Sequence, residues 1–430
     1  MGALLGRSPL LLGKMPPEPA TGNVTGFVSA FLPATRAEAL ARLEAFLPEM
    51  ADYAMTRNQV LPGHGNVSRL SPATRTRVLL EREILEFATG RHGPDRIEKF
   101  RQEVWWRLYW KGWLELRPAV WTGYREALDR LEWSDRARDV ISGKSGVAII
   151  DHFTRELLTT GYLHNHARMW WAAHWIHGEG LPWQLGAEFF LRHLLDGDAA
   201  SNTLSWRWVA GLHTRSKTYL ARRSNLERYL DPAILAAYGD GLDRLETPCP
   251  VELPWENPPV PKALRLEFPL PGNRTGIWLH DEDLHIEDSP LATLRPAALL
   301  ATVPSGPWRR ASWFPDKTRF LRRAIEDGAG RASRHFEIEA EVMEVEDLAG
   351  ELASRAEEQR LDTIIALRPF VGPLADELPA LASALEGRGI RLQLVRRPED
   401  VSVMNLATGG FFGFWETVKD PARKAGEVGG

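Results

Sequence analysis

An all-helical half followed by a parallel α/β half is the fold the sequence predicts. Three observations carry this: helical periodicity over residues 37–229, a proline-rich break at 247–262, and strand-like runs alternating with helix-like ones after it. In the first stretch apolar residues recur at three and four, Ala, Leu, Glu and Arg are frequent, and breakers such as Gly63-His64-Gly65 and Gly178-Glu179-Gly180 separate the segments. Twelve of the 17 tryptophans fall there, as expected for indoles packing between helices. The run Pro248-Cys249-Pro250 through Pro258-Pro259-Val260-Pro261 can sustain neither helix nor central strand, so it reads as an extended linker. Beyond it, strands are expected at 275–280, 297–303, 336–345, 363–367 and 390–395, with helices at 317–327, 348–359 and 374–386 between several of them. The resulting division is an N-terminal extension (1–36), a helical domain (37–246), the linker (247–271), an α/β domain (272–420) and a tail (421–430).

Composition excludes several classes. With 430 residues, 44% apolar and 26% charged, the chain reads as a soluble globular protein with a sizeable core. Cys249 is the only thiol, so one chain can form neither a disulfide framework nor a cysteine-held zinc or iron–sulfur site. Residues 1–13 are apolar but lack a basic flank and a cleavage site, and no apolar run approaches a membrane span, so the expected location is cytoplasmic, with no membrane partner. Net charge is −4, but residues 1–230 carry 30 Lys and Arg against 24 Asp and Glu, leaving 23 against 33 for the rest. Only the first half could present a basic face to phosphates. His152, His164, His174 and His177 fit packed or surface helical histidines, and no metal site is expected.

Chemistry-bearing residues concentrate in two segments. Asn165, Arg168 and Met169 stand at i, i+3 and i+4, placing an amide, a guanidinium and a thioether on one helical face. Asp196 and Asp198 flank a glycine just before another helix, on which Asn202 and Trp206 are again four apart. Two carboxylates, an arginine and two amides suit the polar edge of an isoalloxazine ring. Together these segments resemble the flavin-binding core of the photolyase/cryptochrome family. The resemblance implies FAD as cofactor, with Arg168 paired to Asp196 beside the ring, Asp198 meeting N3 and Asn202 near N5.

Upstream, Tyr53 and Arg57 followed by Ser68-Arg69-Leu70-Ser71-Pro72 resemble the phosphate-side motif of the same family, in which hydroxyls, backbone N–H groups and an arginine meet a pyrophosphate. Val67 departs from the usual hydroxyl there, and Arg77 from the usual glycine. Glu103, Trp106 and Arg107 resemble the Glu-x-x-Trp-Arg segment, whose glutamate and tryptophan meet a flipped-out pyrimidine dimer. By resemblance Arg107 joins the cofactor set, while Arg57, Glu103, Trp106, Met169 and Trp208 form the lesion and DNA set. Leu108 replaces the second acidic residue and His166 the usual arginine. Trp206 matches the flavin-proximal member of the electron relay, Trp183 the middle one and Trp133 the outer end.

After the linker, Trp278 through Leu291 resembles a worn opening strand of the antenna domain of that family, lacking its arginines, and Gly410 through Lys419 resembles its closing aromatic segment. The resemblance thus implies a mainly α-helical FAD-binding domain followed by a Rossmann-like antenna domain, a circular permutation of the usual order. A second antenna chromophore is left open, as is any protein partner. The implied activity is that of a deoxyribodipyrimidine photolyase-like lyase: light-driven electron transfer from reduced FAD to a cyclobutane pyrimidine dimer in UV-damaged DNA. The alternative is a cryptochrome-like blue-light sensor that photoreduces FAD without repair.

Overall fold

The computed structural model describes residues 32–215 and 217–419, so most of the N-terminal extension and all of the tail lie outside the described residues. Helix formation begins at Thr35, whose side chain accepts from the Glu38 N–H while Glu38 reaches back, a capping box that starts the Arg36–Phe46 helix. The helices that matter for the site are Glu98–Glu115, Ala148–Thr160, Asn165–Ala173, Trp183–His193 and Ala199–Val209. A π-turn, His174–Gly178, follows the third of these, with the Glu179 N–H donating to the His174 carbonyl. Residues 247–271 contain neither helix nor strand.

The second half is a five-stranded parallel sheet. Its strands are β1 (Thr275–Leu279), β2 (Ala298–Val303), β3 (Ala340–Glu344), β4 (Thr363–Leu367) and β5 (Arg391–Val395), in the order β3-β2-β1-β4-β5. The central strands β1, β2 and β4 are buried along their whole length, the pattern of a sheet covered on both faces. One strand is shorter than expected. Residues 336–339 are not in it because the helix Pro315–Phe336 runs on past 327 and ends at Glu337 in a left-handed conformation (φ 56°). Its amphipathic stripe, with Phe320, Leu321, Ala324, Ile325, Gly328, Ala329 and Ala332 buried, outweighs the alternation of Phe336, Ile338 and Ala340.

The halves share a core. Phe46, Leu70, Leu79, Phe100 and Leu195 of the helical half pack in one apolar cluster with Ile277, Leu279, Leu284 and Ile325. Beside this cluster lies a buried ionic knot. Arg75 donates to the Asp281 carbonyl at 2.6 Å, to Asp281 Oδ2 at 2.7 Å and to Glu282 Oε1 at 3.2 Å. Arg77 donates to Asp283 at 3.2 Å and to both oxygens of Asp400, at 2.5 and 3.0 Å, while Arg397 makes a fork to Asp283 at 2.9 Å on each oxygen. All three arginines are at most 2% exposed.

The knot accounts for two departures from the family pattern at once. The backbone at Arg77 is left-handed (φ 54°), a conformation that suits glycine, and the guanidinium there meets the acids that stand in the worn β1 motif. Burial pushes the Asp283 carboxyl up, but Arg397 and Arg77 outweigh it and hold it well below the ordinary carboxylate range. Its folded value lies below its unfolded one, so this contribution is present above the ordinary carboxylate pKa and is lost as pH falls toward the folded value. Asp283→Asn is therefore expected to destabilise the chain by about 3–5 kcal/mol, read as a lower urea midpoint near neutrality, with a shallower loss of stability in acid than the parent.

Lys317 gives the same sign of pH dependence in a higher window. It is fully buried, donates to the Leu191 carbonyl and lies 4.2 Å from the Trp313 ring centre. Burial, helped by Arg75, pushes its pKa down to about 7. Between that value and the ordinary lysine value of about 10.4, the unfolded chain binds a proton that the folded chain does not, so stability rises with pH across the window. Lys317→Met should flatten that rise, measured as urea midpoints at successive pH values.

Candidate functional site

The two polar segments converge. The Asn165–Ala173 helix starts after His164, whose Nδ1 accepts from the His166 N–H at 3.1 Å. Burial, with His64 and His166 nearby, lowers the His164 pKa to about 3, so the ring is neutral. One turn on, Arg168 donates from Nε to the Leu163 carbonyl and from Nη2 to Asp196 Oδ2, both at 2.9 Å. Asp196 is 4% exposed, and its other oxygen, Oδ1, has no hydrogen-bond partner of ordinary geometry, although the Ser71 hydroxyl approaches the carboxylate. Burial raises the Asp196 pKa, but Arg168 and Arg107 outweigh it and leave the carboxylate ionised.

Asp198 caps the Ala199–Val209 helix, accepting from the Ser201 N–H at 2.8 Å, and its second oxygen pairs with Arg107. Asn202 donates from Nδ2 to the Ala187 carbonyl at 2.8 Å. Lys111, one turn beyond Arg107, is 1% exposed; its Nζ has no hydrogen-bond partner and lies 4.0 Å from the Phe370 ring centre. Arg168, Asp196, Asp198 and Arg107 thus lie around one polar region, with Asn202 on the helix that Asp198 caps, whereas Asn165 is exposed beside Met169.

The phosphate-side motif flanks it. Arg42 donates to the carbonyls of Val67 and Ser68, Ser68 Oγ accepts from the Leu70 N–H at 3.4 Å, and Ser71 opens the Ser71–Arg75 helix. Arg69 is left-handed (φ 56°) and donates to the Gly63 carbonyl at 3.3 Å. Tyr162, unmarked in the sequence, is the hinge between the motifs. Its ring lies 5.5 Å from the Arg168 guanidinium, and its phenol feels Arg168, Asp196 and Arg69. Tyr53 lies apart from this group, edge-on to Phe46 and Phe100 and beside the Arg57–Glu103 pair.

The expected lesion residues are engaged with the chain itself. Arg57 is ion-paired to Glu103, whose pKa burial raises against the pull of that arginine. Trp106 lies face to face on Phe411, ring centres 3.7 Å apart and planes 8° apart. Phe411 belongs to the Phe411–Val418 helix, which packs along Glu98–Glu115. The Asn165 amide is 3.9 Å from Met169 Sδ, and Trp208 packs 5.7 Å from Tyr219, which bonds His166 Nε2 at 3.2 Å. Among the tryptophans, Trp206 packs on Trp171 and Phe190, whereas Trp183 stacks on Tyr124. Among the described residues, no three His, Cys, Asp or Glu side chains come together to hold a metal, and no helix is long and apolar enough to cross a membrane.

Residues 100–237, which contain this ring of side chains, match the family model described as the FAD binding domain of DNA photolyase. This part of the chain is similar to the FAD-binding domain of DNA photolyases. A deoxyribodipyrimidine photo-lyase of Neurospora crassa is 33% identical over 200 residues, covering 44% of this chain and 32% of that protein. One from Thermus thermophilus is 36% identical over 191 residues, covering 42% of this chain and 44% of that protein. The chain therefore spans 32% and 44% of the length of these two relatives. Among solved structures, a bacterial class III photolyase from Agrobacterium tumefaciens is 25% identical, with 47% of this chain and 44% of that chain covered and a TM-score of 0.41.

The Phe411 contact could not be read from the photolyase motifs, because it joins positions at opposite ends of the chain. Phe411→Ala is expected to cost about 3–5 kcal/mol and to bare one face of Trp106. Acrylamide quenching of tryptophan fluorescence should then rise in the folded variant; unchanged quenching would mean that Trp106 is covered by something else.

Proposed function

We propose that the helical half binds FAD at Asn165, Arg168, Asp196, Asp198 and Asn202, with Arg107 and the Ser68–Ser71 turn completing the site, and serves light-driven electron transfer to a cyclobutane pyrimidine dimer in DNA. The observation that carries this is the Arg168–Asp196 pair, its carboxylate buried and its Oδ1 without a partner of ordinary geometry, next to the capped carboxylate of Asp198. The polar set fits a flavin edge: carboxylates to accept from N3–H, a guanidinium for a developing negative charge and an amide nearby. Bound there, FAD would supply light absorption and the transferable electron.

The chain's own residues bind, orient and exclude water. Arg168 holds Asp196 ionised, and the Leu163 carbonyl fixes the guanidinium so that the pair keeps its orientation without ligand. On the substrate side, Glu103 and Trp106 share one helical face, a carboxylate beside an aromatic plate suited to an extruded pyrimidine dimer. Arg57 would meet the DNA backbone, with Met169 and Trp208 lining the lesion pocket. The order of the halves supports a circular permutation, in which the parallel sheet takes the place of the antenna domain after the linker.

A specific observation favours the second reading, a sensor without repair. Trp106 is covered by Phe411, and Arg57 and Glu103 neutralise each other, so a lesion would have to displace both contacts. The deciding experiment is blue-light irradiation of the FAD-loaded protein, with a reductant present, and an oligonucleotide carrying one thymine dimer. Loss of the dimer in light only, weakened by salt, is the expected result. Bleaching of the flavin bands while the dimer survives would overturn repair in favour of sensing.

A further inference from the structure

We propose that His166 is the positioning residue of an aromatic wall on the lesion side of the site, fixing Tyr219 and through it Trp208, and that its proton sets the direction of the Tyr219 hydroxyl. This rests on the lesion-side reading above. The residue stands where the photolyase pattern has an arginine, so a permanent charge is replaced by one that comes and goes with pH. Its ring is 8% exposed and lies on Trp170, with ring centres 4.3 Å and planes 24° apart, while Tyr229 stands 4.9 Å away. Packed in this way, the ring keeps both nitrogens aimed at fixed partners.

Those partners decide where the hydrogens sit. Nδ1 lies 2.9 Å from the Asn58 carbonyl, which can only accept, so Nδ1 carries a hydrogen whether the ring is neutral or charged. Nε2 lies 3.2 Å from the Tyr219 hydroxyl, which in turn lies 3.3 Å from Asn225 Oδ1. The Trp170 indole N–H donates to that same Asn225 atom at 2.9 Å, which identifies it as the oxygen. A neutral ring presents a bare Nε2, and the single Tyr219 hydrogen is donated to it. A charged ring donates from Nε2 to the Tyr219 oxygen, and the hydroxyl hydrogen turns to Asn225. Both states keep the two ring nitrogens paired and hold the Tyr219 ring beside Trp208, ring centres 5.7 Å apart.

The surroundings put the switch on the acid side of neutrality. Burial is the largest influence on the ring and disfavours its charge, Arg57 adds to this, and the Asn58 carbonyl and Asn225 act the other way, leaving the pKa below the ordinary histidine value of about 6.5. Arg57 is itself paired to Glu103, and the other titratable groups toward the ring are His164, neutral at the start of the same helix, Tyr219 and Tyr229. With its proton, His166 is a second cation near Arg57, next to the exposed Asn165. The phosphates of a bound strand favour that state, so proton and strand each strengthen the binding of the other.

The test uses the full flavin-free chain, isotope-labelled at its histidine nitrogens, for magnetic resonance, and the FAD-loaded chain in the dark for binding. The parent should show one ring whose Nδ1 keeps its hydrogen at every pH while Nε2 titrates; His166→Gln should lack that signal, and Tyr219→Phe should shift its Nε2 resonance. An oligonucleotide carrying one thymine dimer should bind the parent about fivefold more tightly below the transition than above it, the worth of about one hydrogen bond or ion pair. His166→Gln should lose this pH step, and His166→Arg should lose it while binding tightly throughout. A neutral ring with its hydrogen on Nε2, an Nε2 resonance unmoved in Tyr219→Phe, or a full pH step in His166→Gln would overturn the inference. If the expected hydrogen placement is found but the oligonucleotide binds at no pH, the lesion-side reading fails and the positioning role falls with it, although the bonds of His166 stand.

Discussion

The arrangement of this molecule depends on a buried set of ion pairs between its halves: Arg75 with Asp281 and Glu282, and Arg77 and Arg397 with Asp283 and Asp400. Buried charges are costly to desolvate, so such a set specifies a structure more than it stabilises one: completed it is tolerated, and with one member missing it leaves an unpaired charge inside. Here the set is completed only when the loop after β1 meets the turn after the Ser71–Arg75 helix.

That constraint reaches the candidate site through short lengths of chain. Arg75 lies on the same short helix as Ser71, and Ser71 approaches the Asp196 carboxylate. Arg107 and Lys111, on the face of the Glu98–Glu115 helix toward the same region, bring positive charge to Asp198. The flavin edge proposed at Asp196 and Asp198 is thus held between two fields, the Arg168 and Arg107 guanidinium groups on one side and the acids of the β1 loop farther off.

Much of this was legible in the sequence, for physical reasons that differ from element to element. The central strands β1, β2 and β4 read clearly because a strand covered on both faces is a continuous apolar run. The start of β3 did not, because its alternation overlaps the end of a longer amphipathic helix. Asn165, Arg168 and Met169, and the carboxylates before Asn202, were legible because helical spacing alone puts them on common faces. Trp171 and Trp175 were not, because their contacts with Trp206 and Trp133 depend on a π-turn and on the absence of a side chain at Gly186. Arg77 stood out as a departure from a family pattern, yet its partners Asp283 and Asp400 could be found only by folding the chain.

The central claim is that Asp196 and Asp198, set against Arg168 and Arg107, form the edge of a flavin site. Calorimetric titration of FAD into the flavin-free chain and into Asp196→Asn tests it most directly. One FAD per chain in the parent and at least about tenfold weaker binding in the variant, a loss of roughly 1.4 kcal/mol, is the expected result. Equal affinity in the two proteins, or no binding to the parent, would contradict it.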